Sequence, residues 1–139
     1  MSETVRVLVA DDSPVFLAAA VTIVAATPGF EVVAVCSSGP QAVETAANLQ
    51  PDLALLDQSM LGVDPVGSAD AIAEASAETF VVLVSADPYP VGAIPLIEKR
   101  RLSPEQLTRL WQGRTGTDAE SDGAPASLSA KSKGAEEAA

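Results

Sequence analysis

The amino-acid sequence predicts an α/β domain built on a doubly wound, five-stranded parallel sheet. Short β-branched and aliphatic runs alternate with longer segments that carry helix signals, an order typical of repeated strand–helix units. The runs are apolar almost throughout, as expected for strands covered on both faces. Strands are predicted at residues 5–9, 30–35, 53–56, 80–84 and 94–97. The length of 139 residues suits one domain with a single core.

Capping residues predict where the connecting helices begin. Ser13 supplies an N-cap and Pro14 fits the first helical turn, so a helix is predicted to start there. Ser103 and Gln106 have the spacing of a capping box at the start of the last helix. Helices are predicted over residues 14–26, from Gly39 to Pro51, over residues 68–77 and from Pro104 onward.

The fifth strand is predicted at an edge of the sheet, with no full helix before it. Pro95 lacks the N–H that an interior strand donates to its neighbour. Only the 13 residues 86–98 separate Ser85 from Lys99, and a helix of about 11 to 12 residues does not fit there beside a loop and a strand. The domain is predicted to span residues 1–113, followed by a disordered acidic tail, rich in Ala, Ser and Gly, over residues 114–139.

Composition excludes several classes of function. Asp and Glu number 19 against 8 Lys and Arg, and the net charge of −11 repels nucleic acid and anionic lipid. The absence of histidine excludes catalysis by Ser-His-Asp or Cys-His groups. The single cysteine, Cys36, cannot form an internal disulfide, and no apolar run is long enough to span a membrane. We therefore expect a cytoplasmic protein with no direct nucleic-acid or membrane partner.

Polar side chains follow four of the predicted strands. Asp11 and Asp12, Asp57, Ser85 and Lys99 come directly after strands one, three, four and five. Because the carboxyl ends of parallel strands share one edge of the sheet, these side chains are expected to converge there. Three carboxylates in one place require a cation, and Mg²⁺ suits oxygen ligands. The set predicts a site for an oxyanion, with Asp57 as nucleophile and Ser85 and Lys99 as its hydroxyl and cationic groups.

The same residues carry a resemblance to a known family. The segments Val7-Leu8-Val9-Ala10-Asp11-Asp12-Ser13, Pro51-Asp52-Leu53-Ala54-Leu55-Leu56-Asp57, Leu83-Val84-Ser85-Ala86 and the later Lys99 resemble a response-regulator receiver domain of two-component systems. The resemblance covers about residues 4–112. It implies the flavodoxin-like strand order 2-1-3-4-5 and a signalling switch rather than a metabolic enzyme.

The resemblance also implies roles for the residues at the predicted edge. Asp57 matches the aspartate that a histidine kinase or phosphotransfer protein phosphorylates. Asp12 and Asp57 match carboxylates that hold Mg²⁺, with Asp11 nearby or acting through water, and the backbone carbonyl of Ser59 matches a third protein ligand. Ser85 matches the hydroxyl and Lys99 the lysine that contact the phosphoryl group. The output then passes to a downstream protein.

The sequence departs from the family pattern on the signalling side. The fourth helix is expected to be missing or reduced, Leu96 replaces the aromatic switch residue, and Leu61 replaces the proline that follows the phosphorylated aspartate. The first helix is apolar almost all round, which favours either burial or a partner or homodimer surface.

Alternative interpretations of these residues stay open. Asp11 and Asp12 are also typical of strand ends and helix caps, Ser85 of a turn, and Lys99 of a solvated basic cluster with the two arginines that follow it. A second hypothesis is a pseudo-receiver that works as an interaction or dimerisation module without phosphorylation. A third, a small phosphotransfer hydrolase, is disfavoured because the residues after Asp57 offer no general acid.

Overall fold

The protein is described from a computed structural model, which describes residues 4–61, 65–90 and 92–116. Its five strands are all parallel and lie in the order β2-β1-β3-β4-β5, so the predicted fold and strand order are confirmed. The strands are β1 (Val5–Ala10), β2 (Phe30–Cys36), β3 (Leu53–Asp57), β4 (Phe80–Ser85) and β5 (Leu96–Glu98). The helices are α1 (Pro14–Ala25), α2 (Gly39–Leu49), α3 (Pro65–Ala75) and α4 (Pro104–Gly116), with short 3-10 turns at Ser59–Leu61 and Lys99–Arg101.

Side chains on alternate positions of each strand enter two separate cores. Val7 and Val9 of β1 belong to the core under α1 and α4, whereas Leu8 and Ala10 belong to the core under α2 and α3. This alternation follows from the two-residue period of a strand. It explains why the central strands read as continuous apolar runs, because both of their faces are buried.

The helix starts agree with the capping signals. The Ser13 hydroxyl accepts from the Phe16 N–H at 3.3 Å, and the Ser103 hydroxyl accepts from the Gln106 N–H at 3.0 Å. The third helix begins at Pro65 and ends at Ala75, earlier at both ends than the predicted residues 68–77. Proline at the first helical position favours that earlier start, because its missing N–H is not needed there.

Strand β5 lies at an edge of the sheet, as Pro95 predicted, but it is shorter than expected. The strand begins at Leu96 rather than at Ile94, because Pro95 stands just before it and contributes only its carbonyl, which accepts from the Leu83 N–H at 2.8 Å. In the described residues between the last two strands, 86–90 and 92–95, there is no helix, as the spacing predicted.

The other edge strand, β2, carries an irregularity in its pairing with β1. Val7 pairs with Val32 and Leu8 with Ala34, so Val33 is an extra residue in β2. A bulge of this kind twists an edge strand and hinders pairing with another chain.

The last helix continues to Gly116, past the predicted domain end at residue 113. The predicted tail lies outside the described residues from residue 117 onward. None of the described helices has the length and apolar character needed to cross a bilayer.

Candidate functional site

The carboxyl ends of β1, β3 and β5 bring three charged side chains into contact. Asp11 follows β1, Asp57 ends β3, and these strands are neighbours with Ala10 paired to Leu56. Lys99 follows β5 and reaches across: its Nζ lies 2.7 Å from Asp11 Oδ2 and 3.6 Å from Asp57 Oδ1. We call this region, with Asp12, Ser59 and Ser85, the carboxyl edge.

Burial makes the charge on Asp57 costly. Asp11 is fully buried and Asp57 is 1% exposed. Burial raises the pKa of Asp57 above its ordinary value, the negative charge of Asp11 raises it further, and Lys99 and the Ser59 hydrogen bonds oppose the rise. A single lysine therefore does not fully balance the two carboxylates.

The donor set at the carboxyl edge fits a divalent cation. One oxygen from each of Asp11, Asp12 and Asp57 lies within 4.8 Å of the others. Asp11 Oδ1 accepts from the Ser13 N–H at 2.8 Å, and Asp11 Oδ2 is buried with Lys99 Nζ 2.7 Å away. Three hard carboxylate ligands beside a single lysine suit Mg²⁺.

Ser59 lies against Asp57 through groups that the sequence did not indicate. Its hydroxyl lies 3.2 and 3.1 Å from the two carboxylate oxygens of Asp57, and its N–H donates to Asp57 Oδ1 at 3.3 Å. Because both groups donate to the charged form, they stabilise the carboxylate. The role of the Ser59 carbonyl as a metal ligand stays a prediction.

Ser85 lies at the same edge but is engaged with its own loop. It ends β4, is 5% exposed, and follows Val84, the residue paired with Asp57. Its hydroxyl oxygen accepts from the Asp87 N–H at 3.1 Å. Because a serine hydroxyl can accept and donate at the same time, its proton stays available for a group on Asp57.

Lys99 separates from its basic neighbours in the way that the sequence analysis favoured. Its side chain is 18% exposed and enters the site, whereas Arg100 is 83% exposed and pairs with Glu98 at 2.8 Å. Arg101 is also exposed. The solvated basic cluster therefore consists of the arginines without Lys99.

Two residues of the site were missed by sequence reasoning. The Phe16 ring of α1 lies 4.5 Å from Lys99 Nζ, in a cation–π contact that helps to hold the ammonium group. Gln58 is fully buried and hydrogen-bonds to the backbone of Tyr89. The available signal for Gln58 was an uncharged polar residue directly after a buried strand, which is equally typical of a turn.

Comparison with known proteins identifies the family of the chain. Residues 7–98 match the response regulator receiver domain family. A protein-glutamate methylesterase/protein-glutamine glutaminase of Anaeromyxobacter dehalogenans (strain 2CP-C) is 38% identical over 104 residues, which cover 68% of this chain. The chain spans 30% of the length of that relative.

Solved structures agree with the sequence matches. The signal receiver domain of the response regulator NarL from Mycobacterium tuberculosis superimposes with a TM-score of 0.70 at 28% identity, over 84% of this chain and 99% of that one. The response regulator domain of CheB from Thermotoga maritima gives a TM-score of 0.66 at 27% identity, over 79% of this chain and 96% of that one. The chain belongs to the response regulator receiver domain family of two-component signalling.

Proposed function

We propose that this receiver domain accepts a phosphoryl group on Asp57 in a Mg²⁺-dependent reaction and signals by protein contact. The observation that carries the proposal is the position of Asp57, with Lys99 Nζ 3.6 Å away and oxygens of Asp11 and Asp12 within 4.8 Å. A buried carboxylate beside a cation and further metal ligands is the arrangement that an attack on phosphorus requires.

The residues of the carboxyl edge have different roles in the proposed phosphoryl transfer. An Asp57 carboxylate oxygen forms a bond to phosphorus while the bond between phosphorus and the leaving group breaks. With phosphohistidine the leaving group is an imidazole, which takes a proton from water. When bound, Mg²⁺ supplies positive charge to the phosphoryl oxygens. Lys99 exchanges its contact with Asp11 for the new phosphoryl group, and the Ser85 hydroxyl, which only accepts in its bond with the Asp87 N–H, donates to it.

The proposed phosphoryl donor is a sensor histidine kinase or a phosphotransfer protein, and the receiver of the signal is another protein. The chain itself contains no histidine, so the phosphohistidine must come from a partner. A reducing cytoplasm suits the one cysteine, Cys36, which is buried and free. We propose no enzymatic activity for this chain beyond its own phosphorylation.

The proposal is tested by labelling the purified chain with acetyl phosphate, with and without Mg²⁺, and measuring intact mass. The wild type is expected to gain one phosphoryl group only with Mg²⁺, and the Asp57→Asn variant none. Asp52→Asn is the matched control, because Asp52 precedes β3 and binds the Arg6 N–H at the opposite end of the sheet. A wild type that takes no phosphoryl group would overturn the proposal.

That negative outcome would favour the pseudo-receiver hypothesis. Two observations support it as the second candidate: no helix lies between the last strands in the described residues 86–90 and 92–95, and Leu96 occupies the position of the usual aromatic switch residue. An interaction module of this kind would bind its partner equally well with and without acetyl phosphate and Mg²⁺.

A further inference from the structure

The connection between β4 and β5 determines where Lys99 lies. Strand β5 has three residues, and it pairs only with β4, through Leu96, Ile97 and Glu98. Lys99 follows the strand directly. A strand this short at a sheet edge holds its position weakly, so the backbone of Lys99 depends on whatever else anchors the connection, while its ammonium group contacts Asp11 and Phe16.

The Gln58 side chain provides such an anchor. Its Nε2 donates to the Tyr89 carbonyl at 2.6 Å, and its Oε1 accepts from the Tyr89 N–H at 3.3 Å. This reciprocal pair resembles the hydrogen bonds between two opposed strand residues. Gln58 itself is fully buried, and its own N–H donates to the Val84 carbonyl at 2.7 Å, which continues the ladder between β3 and β4.

The anchor divides a long connection into two short ones. Without it, the ten residues 86–95 link β4 to β5 as one loop with no helix in its described part. With Tyr89 fixed to Gln58, the segment that must close before β5 docks begins at residue 90. A shorter loop loses less conformational entropy when its ends are held, so β5 docks more firmly.

We propose that Gln58 is a positioning residue for Lys99. Its side-chain amide fixes the loop that leads to β5 and so takes over the role of a connecting helix. This inference rests on the proposed function, because the position of Lys99 matters for phosphoryl transfer to Asp57. Gln58 acts through Tyr89 and β5 and does not contact the phosphoryl group.

The test replaces Gln58 by methionine, which fills a similar volume and makes neither hydrogen bond. Gln112→Met is the matched control, since Gln112 is exposed on α4. Two quantities are measured for each variant and the wild type: the rate constant for Mg²⁺-dependent labelling at saturating acetyl phosphate, and amide hydrogen exchange at residue 89 and residues 96–98. Mg²⁺ affinity and the midpoint of thermal unfolding are measured beside them.

Loss of the anchor is expected to affect Lys99 without disturbing the metal ligands. Exchange at residue 89 and residues 96–98 rises about tenfold in Gln58→Met, the change expected for the loss of one or two net hydrogen bonds. The labelling rate constant falls about tenfold because Lys99 is misplaced. Mg²⁺ binds at least as tightly as in the wild type, because its carboxylate ligands follow β1 or end β3 and none of them lies on the connection between β4 and β5. Gln112→Met matches the wild type in all measurements.

Two results would overturn the inference. One is unchanged amide hydrogen exchange and an unchanged labelling rate constant in Gln58→Met, which would mean that Gln58 contributes only its packing volume. The other is a parallel rise of exchange in all strands together with weaker Mg²⁺ binding, which indicates general destabilisation. If the wild type takes no phosphoryl group, the proposed function fails, and the exchange data alone still decide whether Gln58 fixes β5.

Discussion

Each end of the sheet has a polar cluster with buried members, but among the described residues the buried charges lie only at the carboxyl ends. At the amino ends of β3 and β4, the Thr79 hydroxyl donates to the Pro51 carbonyl at 2.7 Å and lies 2.6 Å from Ser76 Oγ. Ser76 also lies 3.2 Å from Oε1 of Gln50. We call this neutral cluster the amino edge. The carboxyl edge instead places two buried carboxylates beside one lysine.

The amino edge stabilises the fold, whereas the carboxyl edge forms the candidate functional site. In the amino edge the hydroxyls have partners, so burial costs little and the network ties α2 and α3 to the sheet. In the carboxyl edge, Asp11 and Asp57 share one lysine, and the pKa of Asp57 is raised by burial and by Asp11. A site with uncompensated negative charge is one that a bound cation can complete.

Replacement of Lys99 has the largest expected effect on stability. Lys99→Met leaves Asp11 and Asp57 buried together without a counter-ion, and the free energy of unfolding at neutral pH without metal is expected to fall by about 3 kcal/mol. Urea unfolding measures the loss, and Arg101→Met, an exposed neighbour, is the control. Equal losses in the two variants would contradict the buried ion pairs.

Addition of Mg²⁺ is expected to stabilise the carboxyl edge by supplying the missing positive charge. At 100 times the dissociation constant the gain is about 2.7 kcal/mol, measured by thermal unfolding in the wild type. Asp12→Asn should reduce this gain while leaving metal-free stability close to that of the wild type, because Asp12 is exposed. The same shift with Na⁺ at matched ionic strength would indicate general screening instead.

Replacement of Thr79 tests the amino edge. Thr79→Val keeps the shape but removes the hydroxyl that bonds to Pro51 and Ser76, so the free energy of unfolding is expected to fall by about 1 to 2 kcal/mol. Thr108→Val is the matched control, because its hydroxyl bonds only within α4, to the Pro104 carbonyl at 2.9 Å. Labelling of Asp57 should be the same in Thr79→Val as in the wild type. Loss of the label would contradict the independence of the two edges.

The smallest expected effect is a gain in stability from Asp57→Asn without metal. Since the pKa of Asp57 is raised in the folded protein, its contribution to stability is complete below 3.8 and is lost as pH rises through the folded-state pKa. The variant should therefore unfold like the wild type in acid and at a higher temperature near neutral pH. Asp70→Asn, at an exposed helix position, is the control for the removal of one negative charge.

Local sequence patterns predicted much of the fold because the features that they mark act on neighbouring residues. Proline and serine at helix starts, continuous apolar strands and Pro95 at the last strand all act within a few residues of themselves. The predicted bounds of β5 and α3 moved. Strand β5 is shorter than the apolar run suggested, because its pairing with β4 starts only at Leu96. The beginning of α3 at Pro65 was missed because Gly62, Asp64 and Gly67 around it are typical of a loop, although proline also fits a first helical turn.

The sequence by itself determined the order of strands and helices and brought Asp11, Asp57 and Lys99 to one edge, since parallel strands align their carboxyl ends. Only the tertiary structure decided that the Lys99 ammonium group lies closer to Asp11 than to Asp57 and against the Phe16 ring, because side-chain packing between elements sets these distances. It also decided that Gln58 holds the backbone of Tyr89, a residue 31 positions away. Contacts at that separation depend on the packing of whole elements, which no short pattern encodes.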